Sequence, residues 1–66
     1  MCKINGRKLK KFREREGLTL EDVAKVCGVS YSTISKYENG IHNPADATVD
    51  KICLLLKINK NDIEID

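Results

Sequence analysis

The chain has 66 residues, 12 basic and 10 acidic side chains, and three cysteines whose wide spacing indicates neither a disulfide framework nor a zinc site. A chain of this length forms one domain, and it buries only about 60% of the surface that its unfolded form exposes. It lacks an apolar run of the ~20 residues that a membrane helix needs and the apolar core of a signal peptide, so we expect no membrane segment and a cytoplasmic protein.

The first predicted element is a basic helix that begins after Asn5, whose side chain can cap it, and that ends at Gly17. Residues 1–17 carry seven positive and two negative charges, whereas residues 18–66 carry five positive and eight negative charges. This asymmetry indicates an end of the molecule that faces a polyanion. On charge alone, a solvated basic helix face is an equally good interpretation.

Helix two is predicted over residues 20–27, with Thr19 as its N-cap and Gly28 as the residue that ends it. Ala24 lies four residues before Gly28 and supplies the small side chain that lets two helices cross closely, at about 90–120°. The glycine supplies the positive φ that the tight turn requires. These spacings predict a helix-turn-helix over residues 19–39.

Helix three is predicted over residues 31–38, with Ser30 as its N-cap and the Asn39-Gly40 pair as its end. Ile34 and Tyr37 fall three residues apart and are expected to face the core. The remaining positions of this helix are then left facing outward. A generic corner between two helices of a bundle has the same spacing and is the alternative to a DNA-binding unit.

A fourth helix is predicted to open at Pro44 or Asp46, after a loop over residues 41–45. It presents apolar side chains at core spacing: Val49, Ile52, Cys53 and Leu56. One further turn is expected over residues 59–63, and the alternating last four residues are too few to indicate a strand. The predicted fold is all-α, a compact bundle of four to five short helices that forms a single domain over residues 1–66.

The sequence resembles a known family, the Cro and phage-repressor type of helix-turn-helix proteins, also called XRE-like. The resemblance rests on LKKFREREGLTLEDVAKVCGVSYSTISKYENG at residues 9–40, on the motif Val-Ser-x-Ser-Thr-Ile-Ser-x-x-Glu-Asn-Gly within it, and on Asn43-Pro44. It implies a lambda-repressor-like fold whose third helix lies in the DNA major groove. It further implies a sequence-specific transcriptional regulator, expected to be a repressor that binds double-stranded DNA as a homodimer.

The resemblance also implies which side chains read bases. Five positions of helix three match the family's base-reading positions: Tyr31, Ser32 and Lys36, then Thr33 and Ser35. Lysine can donate to guanine O6 or N7, serine to several base edges, and a tyrosine ring can contact a thymine methyl group. An ordinary solvated helix face is the alternative.

Phosphate contacts are expected at helix ends and in the loop that follows: Thr19, Ser30, Asn39, Arg13 and His42. Capping alone is the alternative for Thr19 and Ser30, and an ordinary loop position is the alternative for His42. Arg13 and Glu38 also match a pair that links helix one to the end of helix three in relatives, with a plain surface pair as the alternative. Structural roles are expected for Arg13, Ala24, Gly28, Ile34 and Glu38.

Two departures from the family pattern concern DNA affinity. Relatives usually carry glutamine at the first position of helix two, where this chain has Leu20. The loop over residues 41–47 contains no lysine or arginine, although it is often basic in relatives. Because each neutralised phosphate adds to affinity and to its salt dependence, we expect weaker binding and a shallower salt dependence than in basic relatives.

A third departure concerns assembly. Val26, Leu54 and Leu55 fall where polar residues are usual in the family. Leu54 and Leu55, with Ile65, are therefore expected to form an exposed apolar surface, and such a surface in a small domain usually marks a contact site. A homodimer through helix four and the C-terminal residues is the resulting hypothesis. The alternative is a larger core that takes up one of the leucines.

Two other function classes are alternatives to DNA reading. An antitoxin or similar protein-interaction module, in which DNA binding is secondary, fits the same helices. An enzyme does not, because the single histidine has no recognisable nucleophile or acid partner and no phosphate loop occurs. We expect no cofactor, metal or small-molecule ligand, a bacterial or phage-encoded origin, and an exposed thiol at Cys2.

Overall fold

The computed structural model describes residues 3–65, so Met1, Cys2 and Asp66 lie outside the described residues, together with the expectation about the Cys2 thiol. Four α-helices and one 3-10 turn follow each other: α1 Gly6–Arg15, α2 Leu20–Cys27, α3 Tyr31–Glu38, α4 Asp46–Leu56 and the 3-10 turn Lys60–Asp62. This arrangement confirms the predicted all-α bundle. None of the helices in residues 3–65 has the length and hydropathy needed to cross a bilayer.

The starts of α1 and α2 follow the predicted caps. The Asn5 side chain accepts hydrogen bonds from the amides of Arg7 at 3.0 Å and Lys8 at 3.3 Å. Thr19 and Asp22 form a reciprocal pair, in which the Thr19 hydroxyl accepts the Asp22 amide at 3.1 Å and the Thr19 amide donates to the carboxylate at 2.9 Å. The hydrogen bond to the Thr19 amide lowers the pKa of Asp22, and the hydrogen bond to the Thr19 hydroxyl lowers it by a smaller amount. Local hydrogen bonding therefore fixes where both helices begin.

The turn between α2 and α3 is tight because Gly28 takes the left-handed conformation, with φ of 72°. Its conformation allows the Val29 amide to donate to the Ala24 carbonyl at 3.1 Å, which closes the end of α2. Ala24 is only 4% exposed, as expected for the small residue at the helix crossing. The predicted turn geometry is thus confirmed at both residues.

The core lies between α2, α3 and α4, and α1 packs on α3. Its fully buried apolar side chains come from all four helices and from the residue that follows the 3-10 turn: Leu9, Val23, Ile34, Val49, Ile52, Leu56 and Ile63. Cys27 and Cys53 are buried among them, as the core spacing of Cys53 predicted, and burial raises the pKa of the Cys27 thiol. The core therefore holds α3 by one face and leaves its other face to solvent.

The two ends of the described chain pair with each other, which the sequence did not predict. Ile4 forms an isolated antiparallel bridge with Glu64. The Asn5 amide donates to the Ile63 carbonyl at 2.6 Å, and the Ile65 amide donates to the Lys3 carbonyl at 3.0 Å. This pairing, which we call the terminal clasp, fixes the entry into α1.

Candidate nucleic-acid interface

The orientation of α3 separates its side chains into two groups. Ile34 is fully buried and Tyr37 is 8% exposed, so these two residues anchor the helix. Tyr31, Ser32 and Lys36 are exposed on the opposite side, with 57% of Tyr31 accessible. Thr33 and Ser35 are half-buried at the edges of this face. The structure thus brings the three principal base-reading candidates together on one solvent-facing surface, which we call the α3 face.

Ser30 begins α3 as predicted, but the expectation that its hydroxyl caps the helix is wrong. The hydroxyl lies 3.0 Å from the hydroxyls of both Ser32 and Thr33 and accepts no backbone amide of α3. Three neighbouring hydroxyls satisfy each other here, which removes the need for an amide donor. The amides in the first turn of α3 are consequently not blocked by a side-chain cap, which suits an approaching phosphate oxygen.

The start of α2 is less suited to phosphate than the start of α3. Both the amide and the hydroxyl of Thr19 are engaged with Asp22. Glu21 and Asp22 also place two carboxylates in the first turn of α2. Since these carboxylates already interact with the positive end of the helix and repel a phosphate, the geometry favours the capping role of Thr19.

Arg13 and Glu38 form a buried ion pair rather than a surface pair. The Arg13 Nε lies 2.6 Å from Glu38 Oε2, and a second nitrogen donates to Oε1 at 3.2 Å. A third nitrogen donates to the Leu18 carbonyl at 2.7 Å. The hydrogen bond with Glu38 raises the pKa of Arg13, despite the opposing effect of burial. This pair ties α1 to the end of α3.

Arg13 remains a predicted phosphate contact, but each of its three guanidinium nitrogens already donates within the protein. Arg13 is only 9% exposed, and its guanidinium is directed toward Glu38 and Leu18 within the protein. Arg15, two residues on, lies over the Phe12 ring at 4.6 Å and approaches Glu16. The cations of α1 that remain available for a polyanion therefore lie nearer its start.

Two of those cations adjoin the end of α3 and were not singled out from the sequence. Arg7 and Lys10 line a shallow groove together with Asn39. The Asn39 side chain donates to the Ser35 hydroxyl at 3.3 Å, which fixes it beside the α3 face. His42 is exposed in the loop beyond. The charge asymmetry of the sequence was the available signal, but it did not say which basic residues reach α3.

The three residues expected at a dimer interface lie in different surroundings. Leu54 is 81% exposed on α4 and lines a small groove with Cys53 and Ile58. Leu55 is half-buried and packs against the core, as the larger-core alternative allowed. Ile65 is 50% exposed but lines the groove beside Arg7 instead. Of these three residues, Leu54 is thus the one that is exposed on α4.

The chain is similar to known helix-turn-helix proteins in both sequence and fold. The model of the helix-turn-helix family HTH_3 matches residues 9–63. A crystal structure of the Bacillus subtilis regulator SinR in complex with DNA superimposes with a TM-score of 0.75, at 26% identity over 85% of this chain and 90% of that chain.

Similar sequences occur in longer proteins. A putative HTH-type transcriptional regulatory protein of Methanoregula boonei is 44% identical over 46 residues, which are 70% of this chain and 14% of that protein. The antitoxin PezA of Streptococcus pneumoniae is 31% identical over 58 residues, 88% of this chain and 37% of that protein. The chain therefore spans well under half the length of these curated relatives.

Proposed function

The chain belongs to the HTH_3 helix-turn-helix family, and from this premise we propose that it is a sequence-specific DNA-binding regulator of transcription, acting as a repressor. The α3 face carries the proposal, because it presents Tyr31, Ser32 and Lys36 to solvent while Ile34 and Tyr37 hold the helix in the core. The major groove of B-DNA is wide enough to admit an α-helix, so the exposed side chains of the α3 face can reach base edges there. The family and fold are those of DNA-binding regulators, so we propose no catalytic activity and place the protein in a bacterial or phage-infected cytoplasm.

In this proposal, base reading and backbone contact come from different parts of the surface. Lys36 donates to guanine, and Ser32 and Tyr31 contact neighbouring base edges, with Thr33 and Ser35 at the margin. Backbone contacts come from the amides at the start of α3 beside Ser30 and from Asn39 and His42, and Arg7 and Lys10 supply positive charge. The loop over residues 41–47 brings no lysine or arginine to this surface, which supports a shallower salt dependence than in basic relatives.

Replacing Lys36 by alanine is expected to relax base preference at one base pair of each half-site, by about tenfold for a good base contact. The measurement is selection of bound sites from random duplex DNA, followed by titration of the selected site and its single-base variants. Lys51→Ala removes an exposed lysine of α4 and is the matched control, which should leave base preference unchanged. Uniform, salt-sensitive retention of all sequences by the unmodified protein would contradict specific recognition.

We further propose that the protein binds as a homodimer through α4, centred on Leu54. Leu54 is 81% exposed, and the groove that it lines takes its other apolar lining from Cys53 and Ile58, so it offers an apolar contact to a second copy of the chain. Two-fold pairing sets two recognition helices about 34 Å apart, as successive major grooves require. Operators with inverted half-sites would follow from this arrangement.

Leu54→Lys is expected to make the protein monomeric, because a charged side chain at the centre of an apolar interface has no partner there. Sedimentation equilibrium at high micromolar concentration measures the change. Ile41→Lys introduces the same charge at another exposed apolar residue, 64% accessible in the loop after α3, and should leave the dimer intact. A monomeric profile of the unmodified protein would eliminate the dimer.

A protein-interaction role is the second candidate, favoured by the likeness to the antitoxin PezA over 88% of this chain. In that case the helical bundle binds a partner protein and DNA binding is secondary. The same substitutions discriminate between the two candidates. If Lys36→Ala and Ser32→Ala leave the affinity for the selected DNA unchanged, the protein-interaction role is the better account.

A further inference from the structure

An open groove of ≈ 680 Å³ separates the start of α2 from the start of α3. Its apolar lining comes from Leu18, Leu20 and Tyr31. Leu18 and Leu20 are half-buried and pack against the core, so their positions are fixed, whereas Tyr31 is 57% exposed. Because Tyr31 also belongs to the α3 face, the groove is a direct continuation of the surface that we propose to read bases.

The charges around this groove disfavour the DNA backbone. Glu14 and Glu21 line it and are exposed, so they repel phosphate groups. Arg13 also lines the groove, but its guanidinium is bound to Glu38 and to the Leu18 carbonyl. The part of the groove next to the α3 face, at Leu20 and Tyr31, is therefore better suited to an apolar base edge than to a phosphate group.

The base edge that fits is an apolar one. Among the four standard bases, thymine is the one that presents an apolar group in the major groove, its C5 methyl. We propose that Leu20 and Tyr31 form a specificity pocket for the C5 methyl group of a thymine in the operator. This inference rests on the proposed function and goes beyond it, because it assigns base reading to a residue of α2 and names the base.

The test uses deoxyuridine, which lacks only the C5 methyl group of thymidine. Each thymine of a site selected from random duplex DNA is replaced in turn, and the dissociation constant is measured by fluorescence anisotropy. At one thymine per half-site, removal of the methyl group should weaken binding about fourfold, as expected for the burial of one methyl group. The same methyl group also occurs on 5-methylcytosine, so that base is measured at the same position.

Variants connect this loss of affinity to the pocket. Leu20→Gln and Tyr31→Ser should each bind the thymine and deoxyuridine duplexes equally well, and Tyr31→Ser guards against a folding defect because Tyr31 is exposed. Val26→Gln is the matched control, since Val26 is a 46% exposed apolar residue of the same helix that does not line the groove. It should retain the fourfold difference.

Three results would overturn the proposal. The first is a selected site at which no thymine methyl group affects binding, and the second is a methyl effect that persists in either Leu20→Gln or Tyr31→Ser; in both cases the proposed function itself stands. The third is tighter binding of 5-methylcytosine than of thymine at the sensitive position, which makes a methylated cytosine the ligand. If no duplex is selected at all, the proposed DNA-binding function fails, and this inference fails with it.

Discussion

Gly6→Ala is expected to lower the free energy of unfolding by about 3 kcal/mol, at the upper end of the cost of overpacking a core. A Cβ atom at position 6 would lie 2.6 Å from the Tyr37 carbonyl oxygen and closer still to the carbonyl oxygen of Glu38. These are backbone atoms at the end of α3, so no side chain can rotate away. Urea unfolding followed by circular dichroism at 222 nm measures the loss.

Helix propensity predicts the opposite sign for this substitution, because alanine stabilises a helix by about 1 kcal/mol relative to glycine. The steric overlap wins, since relieving it requires α1 and α3 to move apart. Gly17→Ala is the control: Gly17 has φ of 70° and nothing within 4 Å of an added Cβ. It should cost only the left-handed backbone strain, about 1–2 kcal/mol. If Gly6→Ala proves less destabilising than Gly17→Ala, the close packing of α1 on α3 is wrong.

The elements that sequence reasoning placed correctly are those whose signals are local. Thr19, Asp22 and Gly28 lie within one or two turns of the helix ends that they define, and they alone specify the boundaries of α2. The α3 face follows from helical periodicity once Ile34 and Tyr37 are taken as core residues. Boundaries and faces were therefore predictable without knowledge of the tertiary structure.

The features that sequence reasoning missed depend on contacts between distant parts of the chain. Gly6 meets the end of α3 through the packing of α1 on α3, next to the terminal clasp, and no local signal in the sequence specifies this approach. Apolar and acidic residues alternate over residues 63–66, but four residues are too few to predict that Glu64 forms a bridge with Ile4. The proximity of Leu20 to Tyr31 is of the same kind, since it depends on the angle between α2 and α3.

Side-chain choices within an element were the second limit. Ser30 occupies the predicted capping position, yet its hydroxyl pairs with those of Ser32 and Thr33 instead of an amide. Leu54 and Leu55 are adjacent in sequence, but the ~100° rotation per residue of a helix exposes one and half-buries the other. Arg13 was expected both to pair with Glu38 and to contact DNA; the bidentate pair with Glu38 is present, and the DNA contact stays a prediction.

Removing one partner of the Arg13–Glu38 pair is expected to destabilise the protein by about 3–5 kcal/mol, because the other partner is left charged and buried. Arg13→Met and Glu38→Leu are the single substitutions, and urea unfolding at neutral pH gives the free energy of each. Arg15→Ala is the control, since its contact with Glu16 spans 3.7 Å at the surface and should contribute less than about 1 kcal/mol.

The double variant Arg13→Met, Glu38→Leu should be more stable than either single variant, because it leaves no unpaired buried charge. Its remaining deficit should be about 1 kcal/mol, the usual contribution of one hydrogen bond, since the Leu18 carbonyl loses the donor that Arg13 supplies. If the two single losses simply add, then Arg13 and Glu38 do not interact in solution. Non-additivity of this sign is what a desolvated ion pair between α1 and α3 requires, and a small remaining deficit would show that Ile34 and Tyr37 hold the α3 face without the pair.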